Sequence, residues 1–393
     1  MEHFGAVSGS VYPFSPEEVE RSRRYHRPLY AARLADIALG LGIPALLAFT
    51  ELGDRLYRPV AGLSWALATL CFSALVLTVT TLAGLPLSLW RHRYERRYGF
   101  STQRLPAWLG DRAKGLAIAV ALTGGAFLGL VASARLFATW WPAVAAAGGA
   151  LLVLLLGFVA PVVLEPVFNR FRPLADEELA GELRALAERA GVPVRDVLVA
   201  DASRRTRKHN AYVSGLGRTR RVVVWDTLLG DARPAELRLV VAHELAHRRF
   251  RHLAWGTVLA MAGTAAFVLV LWAALRPDGL RAALDVDGAG DPRVVPFVLL
   301  LAAVLELPSL PFQAALSRRF ERAADRFSLD LTRDHDAYES THRGLAAANM
   351  SDLDPPRAYY LVFHGHPTAP ERIAAGRAWA RAHDKPFAVS PSR

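Results

Sequence analysis

Apolar residues are concentrated in six long blocks along the 393-residue chain. A helix needs roughly 20 residues to cross a bilayer, and each block is close to or above that length. The second block is over-long, which predicts a helix that tilts or extends beyond the bilayer. Arg33 and Asp36 interrupt the start of the first block. The pattern therefore predicts about six membrane-spanning helices, over residues 32–50, 64–90, 115–136, 141–165, 254–275 and 294–316.

The charged residues between these blocks predict how the chain is oriented in the membrane. Residues 1–31 and the second loop, 91–114, are rich in arginine. The first loop has only two arginines, and the loop after the fifth block mixes three arginines with four aspartates. Because cytoplasmic loops carry an excess of Lys and Arg, we predict a multi-pass cell-membrane protein with a cytoplasmic N-terminus. Residues 166–253 and the C-terminal region then also lie in the cytoplasm.

Residues 166–253 have the pattern of a small α/β domain. Leucines recur at helical spacing in residues 174–191, which predicts an amphipathic helix. Residues 194–201 and 220–229 have the β-branched composition of strands. Pro234 is well placed in the first turn of the next helix, PAELRLVVAHELAHRRF.

These patterns predict a mainly α-helical polytopic membrane protein with a cytoplasmic α/β domain. Its predicted parts are an N-terminal region with four spans (1–165), a cytoplasmic segment (166–253), two further spans (254–316), a second cytoplasmic segment (317–377) and a polar tail (378–393).

Composition excludes some classes of function. The hydrophobic share of 52% and the mean hydropathy of +0.20 favour a membrane protein over a set of soluble domains. The net charge of +11 comes almost entirely from arginines between the apolar blocks, so we expect the lipid bilayer as a partner and no nucleic acid. Cys71 is the single cysteine, which excludes an intramolecular disulfide. The start of the chain lacks an apolar stretch, so no cleavable signal peptide is expected, and the composition indicates a bacterial host.

One motif on the predicted helix has the spacing of a metal site. His243 and His247 are four residues apart, so both imidazoles project from one face of a helix and can bind the same ion. Glu244 follows the first histidine, where its carboxylate can accept a proton from the attacking water and pass it to the leaving amine. This HExxH pattern predicts one catalytic zinc ion per chain, with Glu244 as the general base.

Spacing alone leaves the third ligand open. A metzincin has a histidine at the position that Leu253 occupies, and His252 is one residue away from it, so we interpret His252 as an interfacial side chain. A downstream glutamate is then required. Glu306 lies inside an apolar block and Glu339 in an unpatterned polar stretch, which leaves Glu321 as the candidate.

Asp325 lies one helical turn after Glu321, where a carboxylate is suited to orient a ligand histidine. The same two acids, together with Arg318, Arg319 and Arg322, also fit a solvated ion-pair face of a helix. The residues by themselves do not decide between these interpretations.

Several segments, in order, resemble the CAAX prenyl protease 1 family of integral-membrane zinc endopeptidases with a gluzincin site. The resemblance covers roughly residues 80 to 376. Its blocks are LPLSLWRHRYERRYGFSTQRLPAWLGDRAKGL, APVVLEPVFNRFRPLADEEL, RKHNAYVSGLGRTRRVVVWDTLL, the HExxH helix, SRRFERAADRFSLDL and HGHPTAPERI. Family members of the eukaryotic type have seven spans, whereas this chain has six predicted ones.

The resemblance implies roles for residues that spacing leaves open. It implies that Glu321 is the third zinc ligand and that Asp325 lies behind the ligands. His366 and Arg372 match positions that contact the substrate or the tetrahedral oxyanion, a role suited to cations and N–H donors.

The substrate strand of the family matches Asn210, Ala211 and Tyr212. A strand at a sheet edge there could bind an extended peptide by β-addition.

Together these observations predict a membrane-embedded zinc metalloendopeptidase with a zincin-like cytoplasmic domain. Its expected substrates are peptides or membrane-associated proteins, in processing or in quality control. The alternatives are a heat-shock membrane protease of the HtpX type and a non-catalytic zinc-binding membrane scaffold.

Overall fold

The computed structural model describes residues 12–215 and 217–383 and contains one small sheet among long helices. The helices are α1 (Pro16–Phe49), α2 (Glu51–Tyr57), α3 (Trp65–Arg97), α4 (Leu105–Leu136), α5 (Trp141–Val159), α6 (Glu165–Phe168), α7 (Glu177–Arg189), α8 (Asp226–Asp231), α9 (Pro234–Arg249), α10 (His252–Ala274), α11 (Asp278–Ala283), α12 (Val295–Thr332), α13 (His335–Asn349), α14 (Arg357–Phe363) and α15 (Ala369–His383). The strands are β1 (Phe171–Pro173), β2 (Asp196–Ala200), β3 (Ala211–Ser214) and β4 (Arg221–Trp225).

Within the described residues, six helices are long and apolar enough to cross a membrane. They are α1, α3, α4, α5, α10 and α12, and each coincides with one predicted block, so the predicted six-span helical architecture is confirmed. Some of these helices extend well beyond their blocks. The block that predicted α12 ends near residue 316, but the helix continues to Thr332 because residues 317–332 contain neither Gly nor Pro.

The sheet has the strand order β1-β2-β4-β3, with β2 and β4 parallel and the two outer strands antiparallel to their neighbours. The strand predicted over residues 220–229 is correct only in its first half. It ends at Trp225, and the chain then forms helix α8. The Asp226 carboxylate accepts a hydrogen bond from the Ser203 backbone N–H at 2.8 Å and another from its hydroxyl. An acid in a first helical turn is also favourable.

Contacts divide the chain into two units. Unit 1 comprises Met1–Pro28, Asn169–His252 and Pro311–Arg393, and unit 2 comprises Leu29–Phe168 and Leu253–Leu310. The described N-terminal residues pack within unit 1, because the Ser22 hydroxyl donates to the Ser351 carbonyl at 2.9 Å and Phe14 packs against Leu353 and Ile373.

The core of unit 1 holds α9 against the sheet. Leu183 of α7, Val222 and Val224 of β4, and Leu237 and Val241 of α9 are all fully or almost fully buried. Burial of side chains of this size stabilises by roughly 1.5–3 kcal/mol each. The packing therefore fixes the position of the helix that carries the HExxH motif.

Residues 378–383, the first part of the predicted polar tail, belong to helix α15. Helix α15 continues to His383, and the Trp379 indole N–H donates to Asp330 at 2.8 Å. The rest of the predicted tail lies outside the described residues.

Unit 2 is a helical bundle, and some polar side chains of its long helices have partners within the protein. The Ser73 hydroxyl donates to the Thr69 carbonyl one helical turn earlier, at 2.6 Å. Asp36, which interrupts the first apolar block, forms an ion pair with Arg91 near the end of α3. Both features suit a helix in lipid, where polar groups must be satisfied inside the protein.

Candidate metal centre and active-site cleft

Helix α9 presents the HExxH motif on the face opposite the core of unit 1. It begins with Pro234, and the Arg233 backbone N–H donates to the Glu236 carboxylate at 2.9 Å, which satisfies a donor at the helix start. His243 and His247 lie one turn apart, with ring centroids separated by 4.9 Å. The two imidazoles thus lie side by side, where both can bind the same metal ion.

Glu321 completes a compact set of three ligand atoms. The Nε2 atoms of His243 and His247 are 3.1 Å apart, and they lie 3.3 and 3.4 Å from the two carboxylate oxygens of Glu321. Within the described residues this is the group of His, Cys, Asp and Glu side chains that could hold a metal ion. Ligand atoms at about 2.0–2.1 Å from a tetrahedral ion would be about 3.3–3.4 Å from one another. The observed triangle therefore fits a metal ion.

The alternative ion-pair interpretation of Glu321 does not match the packing. Glu321 is 6% exposed, so it does not lie on a solvated face. Arg318, from the same charged stretch, donates to the carbonyl of Tyr360 at 3.1 Å. Glu339, another candidate, pairs with Arg377 at 2.9 Å.

Asp325 lies behind the first histidine. Its Oδ1 is 3.0 Å from Nδ1 of His243, and Arg372 donates to both of its oxygens, with Nε to Oδ2 at 2.9 Å. Arg372 Nη2 is also 3.3 Å from Nδ1 of His243. When Nε2 of His243 faces a metal ion, Nδ1 of the same ring carries the proton and donates a hydrogen bond to Asp325. The approach of Arg372 to this Nδ1 is then a packing contact and not a hydrogen bond. Carboxylate partners of this kind orient ligand histidines.

The electrostatics of this cluster favour a positive charge between the ligands. Burial disfavours the charged form of His243, but hydrogen bonds that its ring donates to Asp325 and Glu321 outweigh this effect and raise the pKa of His243 to about 9. Burial, with the neighbouring His243, lowers the pKa of His247 to about 4. Two carboxylates around two imidazoles thus stabilise a cation, whether a proton or a metal ion.

Glu244 and His366 face a cleft of about 420 Å³ beside the ligand triangle. Burial raises the pKa of Glu244 above its ordinary value, which makes its carboxylate a better proton acceptor. Nδ1 of His366 is 3.4 Å from Glu321, and its side chain is 64% exposed. Arg372 lines the same cleft, but its side chain is only 15% exposed.

Strand β3 forms the edge of the sheet next to the cleft. Asn210 and Ala211 line the cleft, whereas Tyr212 does not. The Trp225 backbone N–H donates to the Asn210 carbonyl at 3.0 Å, so these residues form a hydrogen-bonded pair of the antiparallel ladder. In such a ladder the next residue directs its N–H and C=O away from the partner strand. Ala211 therefore directs its backbone groups away from β4, and the residue itself is 3% exposed.

The same ladder explains the role of an arginine after the motif. Val213 also directs its carbonyl outward, and Nε of Arg248 donates to that oxygen at 3.2 Å. Arg248 thus takes part in the packing of α9 against the edge of the sheet.

Two parts of the site were not found by sequence reasoning. Nδ1 of His252, interpreted as an interfacial side chain, lies 3.0 Å from Nδ1 of His247. His26 from the N-terminal segment and His342 from α13 line the cleft. The proximity of His252 to the motif was a usable signal, but His26 and His342 carry no local pattern that predicts their placement.

Comparisons with known proteins agree with this geometry. The sequence profile of peptidase family M48 matches residues 173–380, and the profile named "CAAX prenyl protease N-terminal, five membrane helices" matches residues 11–170. Four of the six candidate spans of this chain lie in that second range.

Individual relatives span most of the chain. The uncharacterized metalloprotease YhfN of Bacillus subtilis is 30% identical over 309 residues, which cover 78% of this chain and 72% of YhfN. CAAX prenyl protease 1 of Saccharomyces cerevisiae is 28% identical over 327 residues, which cover 78% and 71% of the two chains.

The fold agrees as well. The crystal structure of Ste24p from S. mikatae superposes with a TM-score of 0.84 at 24% identity, and the match covers 93% of this chain and 90% of Ste24p. The six-helix membrane architecture, the HExxH helix and the matching profiles lead to one conclusion: this chain is a multi-pass membrane metalloprotease that belongs to peptidase family M48 and resembles the CAAX prenyl proteases.

Proposed function

We propose that the protein is a zinc endopeptidase with one zinc ion per chain, held by His243, His247 and Glu321. The observation that carries this proposal is the close approach of the ligand atoms: the two imidazole Nε2 atoms are 3.1 Å apart, and they lie 3.3 and 3.4 Å from the two carboxylate oxygens of Glu321. Two imidazoles and one carboxylate are the ligand set of catalytic zinc in His₂Glu proteases. Zinc at this position supplies Lewis acidity, which polarises a peptide carbonyl and lowers the pKa of water.

The surrounding residues have separate roles in peptide hydrolysis. Glu244 accepts the proton of the attacking water and returns it to the leaving amine, a task for which its raised pKa is suited. Asp325 holds the ring of His243, and Arg372 holds Asp325. His366, exposed in the cleft beside Glu321, is placed to donate a hydrogen bond to the developing oxyanion.

The substrate backbone is proposed to bind along β3. Ala211 offers its N–H and C=O at the sheet edge, and Asn210 lines the cleft beside it. Tyr212 would contribute to peptide binding only indirectly, because successive side chains of a strand point to opposite faces of the sheet and that of Tyr212 does not line the cleft. Pairing with an edge strand holds a peptide extended and recognises its backbone more than its side chains.

The substrate class follows from the membrane helices and the relatives. We propose peptides or membrane-associated proteins, cleaved in processing or in quality control. The yeast relative is named a CAAX prenyl protease, so a prenylated C-terminal peptide is the first substrate to test. The match of the N-terminal profile to residues 11–170 favours this reading over a heat-shock membrane protease.

Zinc content and its link to activity test the proposal. The full chain, purified in detergent, is expected to contain one zinc ion and to cleave a prenylated CAAX peptide or an unmodified membrane-derived peptide. Chelation should abolish cleavage, and stoichiometric zinc should restore it. Metal analysis and a peptide-cleavage assay on the same preparation measure zinc content and activity. Bound zinc without cleavage of either peptide would favour the non-catalytic scaffold, and a chain without bound zinc would contradict the zinc site itself.

We also propose that the N-terminus and the active site lie on the cytoplasmic side, in a bacterial host, because the arginine-rich segments share that side. In a Cys71→Ser background, Glu188→Cys on α7 should react with a membrane-impermeant maleimide only in inverted vesicles. Asp278→Cys, in the loop between the last two spans, should react in intact cells. The reverse labelling pattern would contradict this orientation.

A further inference from the structure

His252 contacts both helices that carry the proposed metal ligands, α9 and α12. Its Nδ1 lies 3.0 Å from Nδ1 of His247, the ring nitrogen on the side away from Glu321. Its ring stacks on Phe320, with centroids 4.1 Å apart and planes inclined by 7°. Phe320 directly precedes the proposed ligand Glu321 in α12. His252 is therefore placed to act on two ligands at once.

The backbone explains how a residue after the motif returns to it. Helix α9 ends at Arg249, and Arg251 has a φ of 56°, in the left-handed region. A non-glycine residue there is uncommon and reverses the local direction of the chain. Without this break, a residue five positions after His247 would not face it on a continuous helix. The turn brings the ring of His252 beneath that of His247.

The contact between His247 and His252 indicates which ring nitrogen of each histidine carries a proton. Nε2 of His247 points at Nε2 of His243 and at Glu321, so it is the metal-facing nitrogen. A neutral imidazole bound through Nε2 carries its proton on Nδ1, and that N–H must find an acceptor. The atom placed to accept it is Nδ1 of His252, whose own proton then sits on Nε2.

The two histidine ligands thus have different partners. The proton on Nδ1 of His243 is held by the carboxylate of Asp325 at 3.0 Å. The proton on Nδ1 of His247 is instead held by the uncharged imidazole of His252. We propose, on the basis of the proposed zinc site, that His252 is a positioning residue for zinc. It fixes the tautomer and ring angle of His247 by accepting its Nδ1–H, and Phe320 fixes the plane of His252.

Substitutions that separate hydrogen bonding from packing test this role. The Asn amide reaches about the place of a histidine Nδ1, and the Gln amide that of Nε2. His252→Leu is expected to weaken zinc binding by about 10–100-fold. His252→Asn should restore affinity to within a few-fold of the parent, and His252→Gln should not. Phe320→Leu, which keeps the acceptor and removes the stacked ring, should have a smaller effect than His252→Leu.

The readout is the zinc dissociation constant of the full chain in detergent, measured by competition with a chelator. The visible absorption spectrum of the cobalt-substituted protein is a second readout, because it reports ligand geometry without turnover. A parent chain that binds no zinc contradicts the proposed function itself. A parent that binds zinc, with His252→Leu equal to it in affinity and spectrum, overturns the role of His252 alone. If His252→Leu does not fold, equal affinities of the Asn and Gln variants overturn it.

Discussion

Glu244→Gln is expected to lower the rate of peptide cleavage by about 10²–10⁴-fold while the protein keeps its zinc. Glutamine has nearly the shape of glutamate but cannot accept and return a proton. The three proposed zinc ligands are unchanged by this substitution, so metal content should stay at one ion per chain. The measurement is single-turnover cleavage of a peptide beside metal analysis of the same preparation.

A matched control for this experiment lies on the same helix. Glu236→Gln makes the same chemical change at the start of α9, where the carboxylate accepts the Arg233 backbone N–H. The glutamine carbonyl can still accept that N–H, so the change should cost about 1 kcal/mol of stability or less and leave cleavage near the parent rate. Full turnover in Glu244→Gln, or equal loss in both variants, would exclude Glu244 as the base.

The second large effect is expected from Arg372→Met. Arg372 donates to both oxygens of Asp325, and Asp325 is only 5% exposed. The substitution leaves a buried carboxylate without its cation, which typically costs about 3–5 kcal/mol. The pKa of Arg372 is raised, chiefly by Asp325 against the opposing effect of burial. We expect a lower thermal midpoint and weaker zinc binding, measured by thermal unfolding and chelator competition.

Arg377→Met is the control for this variant. It makes the same substitution on the same helix, α15, but breaks a pair with Glu339 in which both side chains are about one quarter exposed. Partly exposed pairs of this kind contribute about 1 kcal/mol or less. If Arg372 instead binds the oxyanion directly, Arg372→Met should keep the parent's midpoint and zinc affinity and lose kcat. That result would contradict a role through Asp325.

The six spans could be predicted because hydropathy is a local property. Twenty consecutive apolar residues must form a helix in lipid, whatever the rest of the chain does. The ends of α1 and α12 were not predicted, because polar helical turns beyond the bilayer have no apolar signal. The predicted strand over residues 220–229 was too long for a related reason. The helix at Asp226 depends on its hydrogen bonds to Ser203, a residue distant in sequence.

The HExxH part of the site could also be predicted, since residues four apart on a helix share a face. Sequence alone thus determined the membrane architecture, a helix with two histidines on one face and the position of the proposed general base. The placement of Glu321, Asp325, His366 and Arg372 around His243 depended on tertiary structure. Spacing offered Glu321 and Asp325 only as candidates, and the family resemblance implied roles for all four.

Some contacts had no indication in the sequence at all. They are the pairing of Arg372 with Asp325 and the hydrogen bond that Arg248 donates to the Val213 carbonyl. Local patterns report which face of an element is apolar, but not which distant side chains meet there. Those partners are selected by packing of the whole unit, so only the tertiary structure decided them.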